Sequence, residues 1–502
     1  MRHAKLLTAL AAALTLAACS SGNDGEDAGP ENPLTVRKAS CGANDKVEAG
    51  FQGQVPAATR AAGFNGYNCN LELVAQSRNE GASWQAARFR TCMYYDTSSS
   101  TANRTSQGVV AMDVSNSAAP KRVMALSTPG MFDPWESLKV NERRQLLGAV
   151  NALNGNGGPE IDLYDLSANC TSPQLLSSTR VGVPESSDPV ISEVRGHEGN
   201  FAMDGLTYYG SSLAGRYIYA IDITNTTKPK LISKWNTSVP ANDPRGIHGF
   251  ELSDDGNRLY ATSFGQGGAV ATRITPNNGL IILDTSEIQS RKANPVMKVI
   301  STLFWDDGGG AQHTIVVKIG GKPYLIFVDE AGSGGNSTAG YAASCAAKLP
   351  AWPMARIIDI SNEAAPKQVS RLALEIHDPA NCEKVAPDLA GLASFTYGAH
   401  YCSVDDKANA TTLACGYFES GIRVFDIRDP LRPREIAYYN PPGVDVASPG
   451  SQRATRRPDA KKAPDWCSAQ LHLDPVKGEL WTTCQDNGFM VLKFTNGVWP
   501  FR

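Results

Sequence analysis

One phrase recurs along the chain and limits the possible folds more than any other feature. It is an alternating apolar run, an aspartate, an apolar residue, usually a Ser or Thr, a short polar stretch and a proline. It reads VVAMDVSNSAAP at 109–120, YIYAIDITNTTKP at 217–229, ARIIDISNEAAP at 355–366 and IRVFDIRDPLRP at 422–433. In all four copies the proline falls seven residues after the aspartate: Asp113 and Pro120, Asp222 and Pro229, Asp359 and Pro366, Asp426 and Pro433. Two looser copies carry Asp165 with Pro173 and Asp284 with Pro295. A seventh, FMVLKFTNG at 489–497, has Lys493 where the others have aspartate.

The phrase has a mechanical meaning. Alternation at period two makes a half-buried strand, and Asp and Ser/Thr side chains close a turn by bonding nearby backbone amides. The proline then opens a further strand, where its missing N–H is harmless on a sheet edge. Hairpin patterns precede several copies: GFELSDDGNRLYATS at 249–263, TIVVKIGGKPYLIFVDE at 314–330 and QLHLDPVKGELWTT at 470–483. Each unit is therefore about four antiparallel strands. Seven such units predict an all-β, seven-bladed β-propeller, a single closed domain spanning 61–502 that hides its sheet edges. The 46 glycines and 30 prolines in 502 residues suit so many turns. Closure requires an outer strand for blade seven, because no proline strand follows the seventh copy. NLELVAQS at 70–77 resembles the post-proline strand PKLISKW at 229–235 and is expected to supply it; the alternative is a local N-terminal hairpin.

The phrase VVxxDxSNxxxP resembles the LVIVD repeat of bacterial cell-surface and secreted proteins, over roughly residues 80–495. That resemblance implies a β-propeller, surface location and a binding role.

The N-terminus has the form of a targeting segment. Arg2 and Lys5 precede an apolar run from Leu6 to Leu16, and Leu16-Ala17-Ala18-Cys19 looks like a bacterial lipobox. Residues 1–18 are read as a lipoprotein signal peptide, with Cys19 as the lipidation site. Residues 19–60 are read as the lipidated cysteine and a flexible tether. The protein is accordingly expected to be exported and anchored by lipid to the bacterial membrane, at the cell surface or periplasmic face. Of 11 cysteines, the ten after Cys19 form an even set with no CxxC pair, which suits disulfides rather than a zinc cluster. Cys402 with Cys415, and Cys467 with Cys484, flank turn-like segments and are expected to bridge neighbouring strands. Cys345 with Cys382 is a further candidate pair, whereas the pairing of Cys41, Cys69, Cys92 and Cys170 stays open. A net charge of −3 gives no basic excess for phosphate neutralisation, so nucleic acid is not expected as a partner. A monomer that binds an unidentified protein, polymer or small molecule is the expected form.

The histidines carry the one pattern that points to chemistry. Aligned on the apolar residue that ends each first strand (Phe201, Leu252, Val317, Val404), His197, His248, His313 and His400 share one position in four successive blades. Blade two has Glu136 there and blade seven Ala469. First strands line the central channel, so these imidazoles form a candidate ring of ligands for a transition metal, Fe, Cu or Zn, with Glu136, Glu198 and Glu251 as supporting carboxylates. The layout is similar to two propeller families that use axial histidines from several blades, the carotenoid-cleaving oxygenases and the selenium-binding proteins of the methanethiol oxidase type. Two functions follow: a binding or interaction module at the envelope, or a metal-dependent enzyme, oxidoreductase-like. Asp306 and Asp307 are further candidate carboxylates for the channel. His472 is expected to be structural, and His377 to lie in a loop, EIHDPANC.

Overall fold

Each copy of the repeat folds as the third and fourth strands of an antiparallel sheet, and the preceding hairpin as its first and second. The computed structural model describes residues 34–501 except 79–80, 98–107, 153–158, 183–193, 238–245, 266–276, 390–393 and 457–462. The signal segment and Cys19 lie outside the described residues. Seven sheets result, and their innermost strands are Ala86–Phe89, Lys139–Asn141, Gly199–Phe201, Gly246–Leu252, Gly309–Ile319, Ala399–Val404 and His472–Asp474. The protein is a seven-bladed β-propeller.

The aspartates close the turn between third and outer strands. In six blades the carboxylate accepts the backbone N–H two residues on, from Ser115, Ser167, Thr224, Ser286, Ser361 and Arg428, at 2.8–3.1 Å. Pro120, Pro229, Pro366 and Pro433 each stand immediately before an outer strand. All seven blades also share a β-bulge between third and outer strand, as at Ala111/Met112, Ala220/Ile221 and Val424/Phe425. A bulge sharpens local twist, which suits a radial sheet whose outer strand crosses the axis at a steeper angle than its inner one.

A serine on the outer strand fastens each of four blades to the next. Ser177, Ser233, Ser301 and Ser370 donate to the carbonyls of Thr226, Pro295, Glu363 and Pro430 at 2.5–2.9 Å. The acceptors all belong to the aspartate-to-proline turn of the following blade. The repeat therefore encodes contacts between blades as well as the turn within each one.

Blade seven takes its outer strand from the N-terminal side: Leu71–Ser77 pairs antiparallel with Gly488–Phe494. Just before it, Tyr67–Cys69 adds a fifth strand to blade six. The described part of the expected tether, residues 34–60, is not free chain but a strap packed on blades five and six. Glu48 pairs with the buried guanidinium of Arg423 at 2.6 Å, and Arg423 also holds Glu435 at 3.0 Å. Gln52 donates to Glu435 at 2.9 Å and Gln54 to Asp388 at 2.8 Å. The physical reason is that a buried arginine needs carboxylate partners, and the strap brings one of them.

Five disulfides staple the ring: Cys41–Cys69, Cys92–Cys170, Cys345–Cys382, Cys402–Cys415 and Cys467–Cys484. Cys402 and Cys415 lie directly opposite each other in blade six. Cys92–Cys170 joins blade one to blade two, and Cys41–Cys69 ties the strap to the fifth strand of blade six. So many disulfides indicate an oxidising environment. No described helix is long and apolar enough to cross a membrane.

A candidate metal centre on the propeller axis

The inner strands of blades four, five and six each carry a bulge near their first residues, and the bulge decides which side chains reach the axis. In blade four Ile247 pairs with Ser263 and Phe250 with Ala261; in blade six Ala399 pairs with Tyr417 and Cys402 with Cys415. The two residues between, His248-Gly249 and His400-Tyr401, share one partner position. In blade five Ala311 pairs with Asp329 and His313 with Val328. Counted from the pair before the bulge, Gln312 takes the place of His248 and His400, and His313 that of Gly249 and Tyr401.

The structure accordingly brings three of the four histidines together and sets the fourth aside. His197 Nε2 and His248 Nε2 are 3.0 Å apart. Glu136 Oε2 lies 3.4 Å from the first and 3.3 Å from the second, and its Oε1 lies 3.4 Å from His400 Nε2. Glu136, placed in the sequence reading among supporting carboxylates, is thus at the centre. His313 instead stacks on Tyr401 with ring centroids 4.6 Å apart, and its Nε2 accepts the Cys402 N–H at 3.3 Å. Its Nδ1 contacts the Gln312 side-chain Oε1. Both nitrogens are committed away from the cluster.

Each ligand-bearing segment is pinned by the backbone. The Glu136 N–H donates to His197 O at 3.2 Å, and Ser211 Oγ donates to His248 O. His400 Nδ1 donates to Ser468 O at 2.8 Å, which leaves Nε2 of the neutral ring with its lone pair towards the cluster, the tautomer that a metal requires. Glu198 Oε2 stands behind His248, 3.7 Å from Nδ1. Glu251 lies elsewhere, taken up by Asn200 at 2.8 Å and by Lys407, and does not support the imidazoles. Asp307 is likewise removed from the channel: it pairs with Arg356 at 2.7 Å and Arg371 at 2.5 Å. His377 and His472 bond backbone groups, accepting from Leu374 N at 2.9 Å and lying 3.2 Å from Ala86 O respectively.

Reasoning confined to first strands missed Glu330, which stands one residue before the end of the second strand of blade five, Lys322–Ala331. Its Oε2 is 3.3 Å from His400 Nε2 and 3.8 Å from His248 Nε2. The available signal was the acidic end of YLIFVDE, a charge closing an apolar strand. Aromatic rings were missed as well. Trp84 lies 5.2 Å and Phe418 5.3 Å from His400, Trp135 lies 5.9 Å from His197, and Phe264 stacks 5.7 Å from His248. Trp135, directly before Glu136, adopts φ 48°, a left-handed conformation rare for a bulky residue and retained mostly at functional sites.

Charge at the centre is coupled. Burial works against a proton on His248 and His400, yet Glu136 and Glu330 outweigh it, raising His248 to about 9 and His400 to about 10. Glu136 is held well below the usual carboxylate range: burial alone raises it, and the three imidazoles overcome that. Two buried carboxylates thus face two protonated imidazoles, and a divalent cation brings the same two charges when it replaces those protons.

The donor set fits a metal. Donors bound at about 2.0–2.1 Å around a tetrahedral ion lie about 3.3 Å from one another. The Glu136, His197 and His248 donor atoms close a triangle of 3.0, 3.3 and 3.4 Å. Glu136 Oε2 is buried and has no hydrogen-bond partner, a costly state that a bound cation relieves. The structure thus holds a possible His/Glu metal-binding triad on the axis.

The chain matches no protein-family model and no curated protein. Among solved structures it is similar to a putative 6-phosphogluconolactonase from Bacteroides uniformis, with 13% identity over 81% of this chain and 92% of that one and a TM-score of 0.51. It is also similar to Kuenenia stuttgartiensis hydrazine synthase, with 12% identity over 84% of this chain and 97% of that one and a TM-score of 0.50. These likenesses concern the fold. One scaffold hosts many activities, so function has to be argued from the axial residues.

Proposed function

We propose that this protein is an exported, lipid-anchored propeller of the bacterial envelope whose axial site binds a transition metal, Fe, Cu or Zn, and serves metal-dependent chemistry of an oxidoreductase kind. The closed Glu136/His197/His248 triangle carries the reading. A metal held there supplies Lewis-acid or redox chemistry. The protein contributes the rest: the His400 imidazole fixed by the Ser468 carbonyl, Glu198 behind His248, and an aromatic wall that limits water. Five disulfides and the Leu16-Ala17-Ala18-Cys19 segment support export and anchoring.

The test is metal analysis of protein recovered from an oxidising compartment, with Glu136→Gln and His197→Ala beside the wild type. We expect stoichiometric metal in the wild type and its loss in both variants. Substoichiometric metal that neither substitution changes removes the metal reading. It leaves the second one, a monomeric interaction module acting through the loops at the blade ends. Cys19→Ser is expected to release the protein from the membrane fraction.

A further inference from the structure

Glu136 divides its carboxylate between two groups of donors. Oε2 faces His197 Nε2 and His248 Nε2 at 3.4 and 3.3 Å, whereas Oε1 faces His400 Nε2 at 3.4 Å. His400 Nε2 has a second acidic neighbour in Glu330 Oε2 at 3.3 Å. Blades two, three and four thus build one triangle, while His400 of blade six, with a carboxylate from the second strand of blade five beside it, faces the opposite oxygen of the same glutamate.

We propose that the axial site holds two divalent metal ions bridged by Glu136, one bound by His197, His248 and Glu136 Oε2, the other by His400, Glu330 and Glu136 Oε1. The inference rests on the metal reading above and adds the second position. A carboxylate whose oxygens serve separate donor sets is how ions about 3.5–4 Å apart are bridged in two-metal sites. His400 is prepared for its own ion, because its Nδ1–H is engaged by Ser468 O and its Nε2 looks towards two carboxylates from different blades. Glu330 also has reason to be where it is. Its carboxylate lies 3.8 Å from His248 and 3.3 Å from His400 with only 11% of its side chain exposed, so an ion that displaces the imidazole protons keeps a positive charge beside it. Glu198, behind His248, adds a third carboxylate beside the site.

The experiment strips the purified full chain with a chelator, refills it with excess Zn²⁺, removes unbound ion and counts zinc per chain. Two zinc ions are expected in the wild type and one in Glu330→Gln. Refilled with Mn²⁺, the wild type should show an exchange-coupled electron paramagnetic resonance signal that Glu330→Gln converts to that of an isolated ion. One zinc per wild-type chain overturns the two-ion centre and leaves a single-metal site intact; no zinc overturns both. Two zinc ions retained by Glu330→Gln also overturn the assignment. His400→Ala gives the same count if Glu330→Gln fails the circular dichroism check for folding.

Discussion

His313 and His400 begin neighbouring blades, are 4% and 1% exposed, and belong to the same aligned position in the sequence, yet the fold gives them opposite states. His400 faces Glu136 and Glu330 and is raised to about 10; His313 lacks such a partner at either nitrogen, and burial, with Lys139 and His400 nearby, drives it well below its ordinary value. Burial is common to both, so the carboxylates decide the outcome. The bulge falls at the same place in both blades, and His313 stands one residue further along it than His400, where blade six has Tyr401; that single residue decides which histidine meets them.

The largest expected difference between the two classes of histidine is in metal affinity. Changing an outer support of a metal ligand typically weakens binding 10–100-fold, so His248→Ala, which removes a ligand, is expected to weaken Zn²⁺ binding by more than about 100-fold. His313→Ala should leave the zinc count of the wild type. Equal losses in titration calorimetry would erase the distinction.

Stability against pH should split the same way in metal-free protein. His248 and His400 are raised on folding, so the stability they contribute is present below the ordinary value of 6.5 and is lost as pH rises towards about 9 and about 10. His377 is lowered to about 3 by burial, so it opposes folding as pH falls from 6.5 towards 3. Each titrating group contributes a slope of roughly 1.4 kcal/mol per pH unit within its window. Denaturant midpoints across pH should therefore peak near the ordinary histidine range. His400→Gln should flatten the alkaline limb and His377→Gln the acid one; an unchanged pair of limbs contradicts the assignment.

Gly249 tests the bulge itself, because it stands where blades five and six carry His313 and Tyr401. A Cβ there would lie 2.1 Å from Glu198 Oε2 and 2.4 Å from Gln312 O. Gly249→Ala is expected to cost about 1–3 kcal/mol, as overpacking does, and to push Glu198 off His248, which zinc affinity would register. The smallest expected effect lies at the rim: Ser233→Ala should cost about 1 kcal/mol in chemical denaturation, the usual worth of one hydrogen bond, with the metal count unchanged.

Much of the architecture was legible because its determinants are local. An Asp that accepts an N–H two residues on, and a proline that enters an edge strand, act through neighbours in the chain, so the blades could be read from the phrase. The strand at 70–77 was readable for the same reason, by likeness to other outer strands. The strap was not. Glu48 and Gln52 reach Arg423 and Glu435 from more than 370 residues away, and nothing in a polar, glycine-containing stretch announces that a buried guanidinium awaits it. At the site, Glu136, His197, His248 and His400 were found by repeat position. Glu330 escaped because it comes from a second strand, outside the alignment that located the others.

The sequence alone determined the number of blades, the turn chemistry, three of the five disulfide pairs and the gathering of histidines at one end of the channel, since a repeat places equivalent residues equivalently. Only the tertiary structure decided which of them meet. Strand pairing sets Val316, not Val317, level with Leu252 and Val404, and strand side chains alternate direction with every residue, so Gln312 rather than His313 stands in line with His248 and His400.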